Sequence, residues 1–127
     1  MKICKKSTLL SIALGLLFFA PGLALANKAS VSIEVPKSVA KEEEIVIVLK
    51  VKHSENTPSH YVNWVNLKIN NKDMKKWEFT PDNRPDTHDF IIKFKFMVNM
   101  DTKVSAEANC ILHGSAGPAS AFIKTKQ

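Results

Sequence analysis

The sequence predicts an all-β sandwich, a single domain behind an N-terminal export signal. Three observations carry that prediction. Apolar and polar residues alternate at period two in segment after segment, as half-buried strands do. Turn-forming residues punctuate these segments at short intervals, which is the pattern of a sandwich rather than of βαβ units. No segment carries the 3.6-residue apolar stripe of an amphipathic helix, and there is no repeat or low-complexity tract.

The leader comes first. Met1-Lys2-Ile3-Cys4-Lys5-Lys6 is basic, residues 9–20 are apolar, and Ala24-Leu25-Ala26 is a small-x-small cleavage site. This is the pattern of a secretory signal peptide. Its apolar core is short and is interrupted by Pro21, which argues against a membrane span. Residues 1–26 are therefore expected to be removed, leaving residues 27–127 as an exported protein, periplasmic or secreted, with no membrane anchor.

The strands follow in order. Residues 30–35 set Val31, Ile33 and Val35 against Ser30, Ser32 and Glu34. The run Lys41-Glu42-Glu43-Glu44 reads as a solvated turn. Residues 45–51 are β-branched and alternate, with Ile45, Ile47, Leu49 and Val51 on one side. Residues 61–69 place Tyr61, Asn63, Val65, Leu67 and Ile69 opposite Val62, Trp64, Asn66 and Lys68. Asn70-Asn71 is a turn signal, a short strand is expected at 75–79, and Pro81 to Pro85 is a loop. Residues 90–98 alternate strongly through Phe90, Ile92, Phe94, Phe96 and Val98. Strands at 103–109 and 120–124 complete the set. Trp64 and Trp77 are expected in the core or at its rim.

Charge excludes one class of partner. The net charge is +6, and loss of Lys2, Lys5 and Lys6 with the leader lowers it to +3. The lysines are scattered, with no basic run interleaved with aromatics, so nucleic acid is not an expected partner. A mildly positive surface still attracts a small anion. The exposed edges of a small sandwich also leave a homo-oligomer open.

Cleavage also removes Cys4, which leaves Cys110 without an internal disulfide partner. A lone thiol in an oxidising compartment is protected by burial, by an interchain bridge or by a metal. Cys110 and His113 form a Cys-x-x-His turn followed by Gly114. Upstream, His53 and His60 flank a polar loop. On the strand outline all four residues fall at strand ends, where sandwich loops gather. Imidazole and thiolate together suit iron, zinc or copper, not magnesium or calcium. The four could close a tetrahedral zinc site, or form an incomplete shell around iron with room for a small ligand. His88, in a polar loop, reads as a solvent histidine.

Asn56-Thr57-Pro58-Ser59-His60-Tyr61-Val62-Asn63-Trp64-Val65 resembles the stretch of superoxide reductases in which iron histidines precede an Ile/Val-x-Trp-Ile/Val strand. Cys110-Ile111-Leu112-His113-Gly114 resembles their Cys-Asn-x-His-Gly turn, and Ser32-Ile33-Glu34-Val35-Pro36 their first strand. The resemblance, to the desulfoferrodoxin and neelaredoxin group, runs from about Lys28 to Gly114. It implies an immunoglobulin-like antiparallel β-sandwich with one mononuclear iron (Fe2+/Fe3+). It further implies one-electron reduction of superoxide to hydrogen peroxide, with the electron drawn from an external donor protein. By resemblance His53, His60 and His113 are equatorial ligands and Cys110 is the axial thiolate. A lysine just before the family's first histidine steers the anion, and Lys28 is its candidate here.

That first histidine is absent. One alignment sets Lys28 at the lysine and Ala29 at the histidine; another, through Val35-Pro36, sets Ile33 and Glu34 there. The interval between His53 and His60 is also one residue longer than usual in the family. Water could fill the vacant position, the new amine of Asn27 could reach it, or the site could have drifted to another metal or lost activity. The principal expectation is a superoxide reductase-like protein. The alternative is a non-catalytic periplasmic metal-binding or electron-transfer protein on the same scaffold, and a third is a metal-free interaction module.

Overall fold

The computed structural model describes residues 27–126, and the expected signal peptide at 1–26 lies outside the described residues. Eight strands follow in order: β1 (Ser30–Glu34), β2 (Ser38–Ala40), β3 (Glu43–Lys52), β4 (Val62–Ile69), β5 (Lys72–Glu78), β6 (Phe90–Val98), β7 (Thr102–Cys110) and β8 (Ala119–Lys126). They form two sheets, ordered β1-β3-β6 and β2-β8-β7-β4-β5. The all-β sandwich expected from the alternation is the observed architecture. Every pairing is antiparallel but one, β2 with β8, which is parallel.

The alternation decides which face of each strand is buried. Ile45, Ile47, Leu49 and Val51 of β3 point inward and meet Val65, Leu67 and Ile69 of β4 and Val104, Ala106 and Ala108 of β7. Burying one such aliphatic side chain stabilises the fold by roughly 1.5–3 kcal/mol. Sheet edges β5 and β6 are joined by aromatic pairs, Trp77 edge-on to Phe94 and Phe79 edge-on to Phe90. Trp77 thus packs against the core, while Trp64 is only partly covered, with the Lys76 ammonium 5.1 Å from its ring centroid.

Several boundaries differ from the sequence expectation. β5 begins at Lys72 rather than at 75, because Asn70 and Asn71 both take positive φ (51° and 68°) and turn the chain within two residues. Such a turn fits the twist of the strands it joins, and asparagine tolerates its left-handed conformation. A register shift between Val62 and Trp64 in the β4–β7 ladder buries both Tyr61 and Val62, which strict alternation would have separated. β2 was not expected, and only Val39 of its three residues is buried. Cys110 ends β7 rather than lying in the loop beyond it.

The polarity of the strands sets up one end of the sandwich. β1 starts, β3 ends, β4 starts and β7 ends there, since Ser30 pairs with Lys52 and Val62 with Cys110.

Candidate metal centre

The strand ends just named deliver the four predicted ligands. His53 follows β3 directly and is 6% exposed. His60 sits at the close of a tight turn, where Thr57 and His60 exchange main-chain hydrogen bonds of 2.9 and 3.1 Å. Pro58 suits the second position of that turn through its fixed φ. Cys110 is 1% exposed and is a free thiol. His113 lies on the turn that Cys110 and Gly114 close with two 2.9 Å main-chain bonds. Gly114 makes this turn at φ +82°, a left-handed conformation that glycine adopts without penalty.

Each imidazole shows which nitrogen is free to bind. His53 Nδ1 is 2.7 Å from the Glu55 main-chain oxygen, so Nδ1 carries the proton and Nε2 the lone pair. That Nε2 is buried and has no hydrogen-bond partner. His60 Nδ1 lies 3.4 Å from the Glu55 carboxylate, which leaves its Nε2 facing His113 Nδ1 at 3.3 Å. His113 Nδ1 is in turn 3.9 Å from Cys110 Sγ. Ligand atoms of His53, His60 and Cys110 all lie within 4.8 Å of one another. Metal bonds of about 2.0–2.3 Å would put neighbouring ligand atoms roughly 3–4 Å apart. The donors therefore stand close to coordinating distance, and an orphaned buried nitrogen is what such an ion would satisfy.

The electrostatics agree with metal binding. Burial pushes the His53 pKa below its usual value, and the neighbouring His60 and His113 rings push the same way; the main-chain groups of Glu55 and Asn27 oppose them. The ring is thus held neutral, the form that coordinates. The His113 main-chain N–H donates to Cys110 Sγ at 3.4 Å.

Other residues around the site left no mark on the sequence pattern. Asp89 accepts the His53 main-chain N–H at 3.0 Å, and that bond is the first cause of its lowered pKa. His88, more than half exposed, is placed in solvent as expected, yet its Nδ1 lies 3.1 Å from the His53 carbonyl oxygen. Glu55 braces two histidines at once, His53 through its carbonyl and His60 through its carboxylate. All three lie in polar loops, where sequence offers no periodicity to read.

The structure also separates the two alignments at the front of the domain. Ala29 is fully buried; its N–H bonds to Gly114 O at 3.2 Å and its carbonyl accepts from Ala116 N at 2.8 Å. Residue 29 therefore sits beside the Cys-x-x-His turn. Glu34 pairs with Val48, four residues up β1 from Ser30, or roughly 13 Å at about 3.3 Å per residue. Its carboxylate is engaged by Lys50. Lys28, half-buried, precedes Ala29 at the site's end of the sandwich.

A two-sheet sandwich with an imidazole–thiolate cluster at one end places the chain among β-sandwich proteins with a His/Cys centre at the strand ends. Residues 24–115 match the family model of desulfoferrodoxin, and the chain belongs to that family, the group of the superoxide reductases. No curated protein sequence matches it significantly. Among solved structures it is similar to the superoxide reductase (neelaredoxin) of Ignicoccus hospitalis, with a TM-score of 0.68 at 18% identity. That match covers 84% of this chain and 89% of the other. It is also similar to the CARDB domain of a Pyrococcus furiosus protein determined in complex with di-metal ions, with a TM-score of 0.55 at 14% identity. Coverage there is 80% of this chain and 97% of the domain. At such identities both likenesses speak to the fold.

Proposed function

We propose that this protein is an exported, mononuclear iron protein that reduces superoxide to hydrogen peroxide. The observation that carries the reading is the convergence of His53 Nε2, His60 Nε2, His113 Nδ1 and Cys110 Sγ at one end of a desulfoferrodoxin-family sandwich. When bound, ferrous iron supplies one electron to superoxide, which with two protons leaves as hydrogen peroxide, and an external donor protein restores the electron.

The chain's own residues perform the rest. His53 offers a neutral imidazole, His60 and His113 offer ring nitrogens, and Cys110 offers a sulfur that accepts the His113 N–H. A thiolate ligand raises electron density at the metal and favours transfer outward. Glu55 holds His53 and His60 in the orientations that free both Nε2 atoms, the part an outer-shell partner plays at a metal site. Lys28 attracts the anionic substrate from the side of the domain where the first histidine is missing.

The test is metal analysis and superoxide turnover of the purified protein loaded with ferrous iron. About one iron per chain, a visible thiolate-to-iron band and peroxide formation, all lost in Cys110→Ser, are the expected results. Peroxide formation equal to that of Cys110→Ser would refute the enzyme. A second reading, a non-catalytic metal-binding or electron-transfer protein, is favoured by one feature: the family's first histidine is replaced, by Ala29 in one alignment and by Glu34 in the other.

A further inference from the structure

The segment that lacks a histidine does not leave the site. Ala29 is pinned to Gly114 and Ala116 by two hydrogen bonds, and Ala29 pairs with Ser115 as an isolated bridge. Asn27, two residues earlier, is thereby brought to the same end of the sandwich. At that end His53 gives its Nδ1 to Glu55 O, and its buried Nε2 has no hydrogen-bond partner. Asn27 is also exposed, so its main chain can adjust.

We propose that cleavage after Ala26 frees the α-amine of Asn27, and that this amine binds the metal in place of the missing histidine. The inference rests on the metal-centre reading above and on export with cleavage at that bond. Its chemistry is simple. In the uncleaved chain the Asn27 nitrogen is a planar amide whose lone pair is delocalised into the carbonyl of residue 26, so it is no donor. Hydrolysis of that bond turns it into a primary amine, a nitrogen ligand comparable with imidazole. The bridge between Ala29 and Ser115 holds the amine within two residues of the Cys-x-x-His turn. Proteolytic maturation would thus supply a fifth protein ligand, and the unprocessed chain would hold metal more loosely.

The test uses the full gene, leader included, expressed in a bacterium that exports it. The mass of the exported protein gives its first residue. A second form carries one serine inserted between Ala26 and Asn27, so that cleavage leaves the amine one residue away. Cobalt(II) is the probe, read by its affinity and its ligand-field spectrum. The exported protein is expected to begin at Asn27. It should bind one cobalt at least about tenfold more tightly than the serine form, the scale on which even outer-shell partners act. Its visible bands should also differ. A different first residue, or equal affinities and superimposable spectra, overturns the proposal. If the two forms are alike and both lose cobalt in Cys110→Ser, the amine alone fails and the His/Cys centre stands. If neither form binds cobalt or ferrous iron, the metal-centre reading fails and the proposal falls with it.

Discussion

Glu55 shows how much one residue outside the ligand set can decide. Its carbonyl belongs to the main chain and survives any substitution, whereas its carboxylate, 3.4 Å from His60 Nδ1, does not. Glu55→Ala should therefore weaken metal binding by about 10–100-fold through His60, with Glu55→Gln recovering much of the loss. Competition against a chelator of known affinity measures it, and an unchanged affinity in Glu55→Ala would remove Glu55 from the site. Gly114 carries a different burden. A Cβ there would meet only Asn109 Oδ1 at 4.0 Å, so space is no obstacle, but φ is +82°. Gly114→Ala should cost about 1–2 kcal/mol in backbone strain and loosen the turn that presents His113. Chemical denaturation reads the first effect and metal affinity the second.

At the scale of elements, β3 is the central strand of the smaller sheet and leads directly into His53. Leu49 lies fully buried in it, so Leu49→Ala should destabilise the fold by about 2–5 kcal/mol, measured by urea unfolding. A loss below 1 kcal/mol would mean that the two sheets pack less tightly than their buried faces imply. The loop before β7 is tied to β8 by Asp101, whose carboxylate accepts from both the N–H and the hydroxyl of Thr125 at 2.8 and 3.0 Å. The Thr125 N–H, then its hydroxyl, holds the Asp101 pKa below the ordinary carboxylate value. A pKa depressed by folding contributes stability that is complete above the unfolded value, about 3.9, and is lost as pH falls through the folded value. The difference in Tm between the wild type and Asp101→Asn should accordingly be constant at neutral pH and shrink below about pH 4. A difference that persists undiminished into strong acid would contradict this account.

For the whole molecule, a ligand that binds only the folded state raises its stability with concentration. Metal at about 100 times its dissociation constant should add about 2.7 kcal/mol, seen as a chelator-reversible rise in Tm. A Tm indifferent to metal would favour the metal-free interaction module. Much of this molecule was legible beforehand for physical reasons. A half-buried strand writes its burial into alternate positions, so β3, β4 and β6 could be read from Ile45 to Val51, Val65 to Ile69 and Phe90 to Val98. Three-residue β2 has too few positions to alternate, and its parallel pairing with β8 depends on partners far along the chain. The bulge beside Val62 arises from the ladder and not from the residues it displaces. Histidines and a cysteine announce a metal by their chemistry, while Glu55 and Asp89 look like any polar loop residue until their hydrogen-bond partners are seen. The two alignments at the front of the domain were equally open in sequence, whereas in the fold Ala29 lies beside the Cys-x-x-His turn and Glu34 lies four residues up β1 from Ser30.

His60 and His113 stand 53 positions apart, and Ala29 joins the Gly114 turn from the far end of the domain. Closing such loops costs entropy that early, local contacts do not repay, so these strand ends are expected to meet late in folding. A chain that crosses a membrane unfolded would then arrive without its ion and collect one only on the far side. The composition of that compartment, as much as the affinity of the ligands, would decide which metal it keeps.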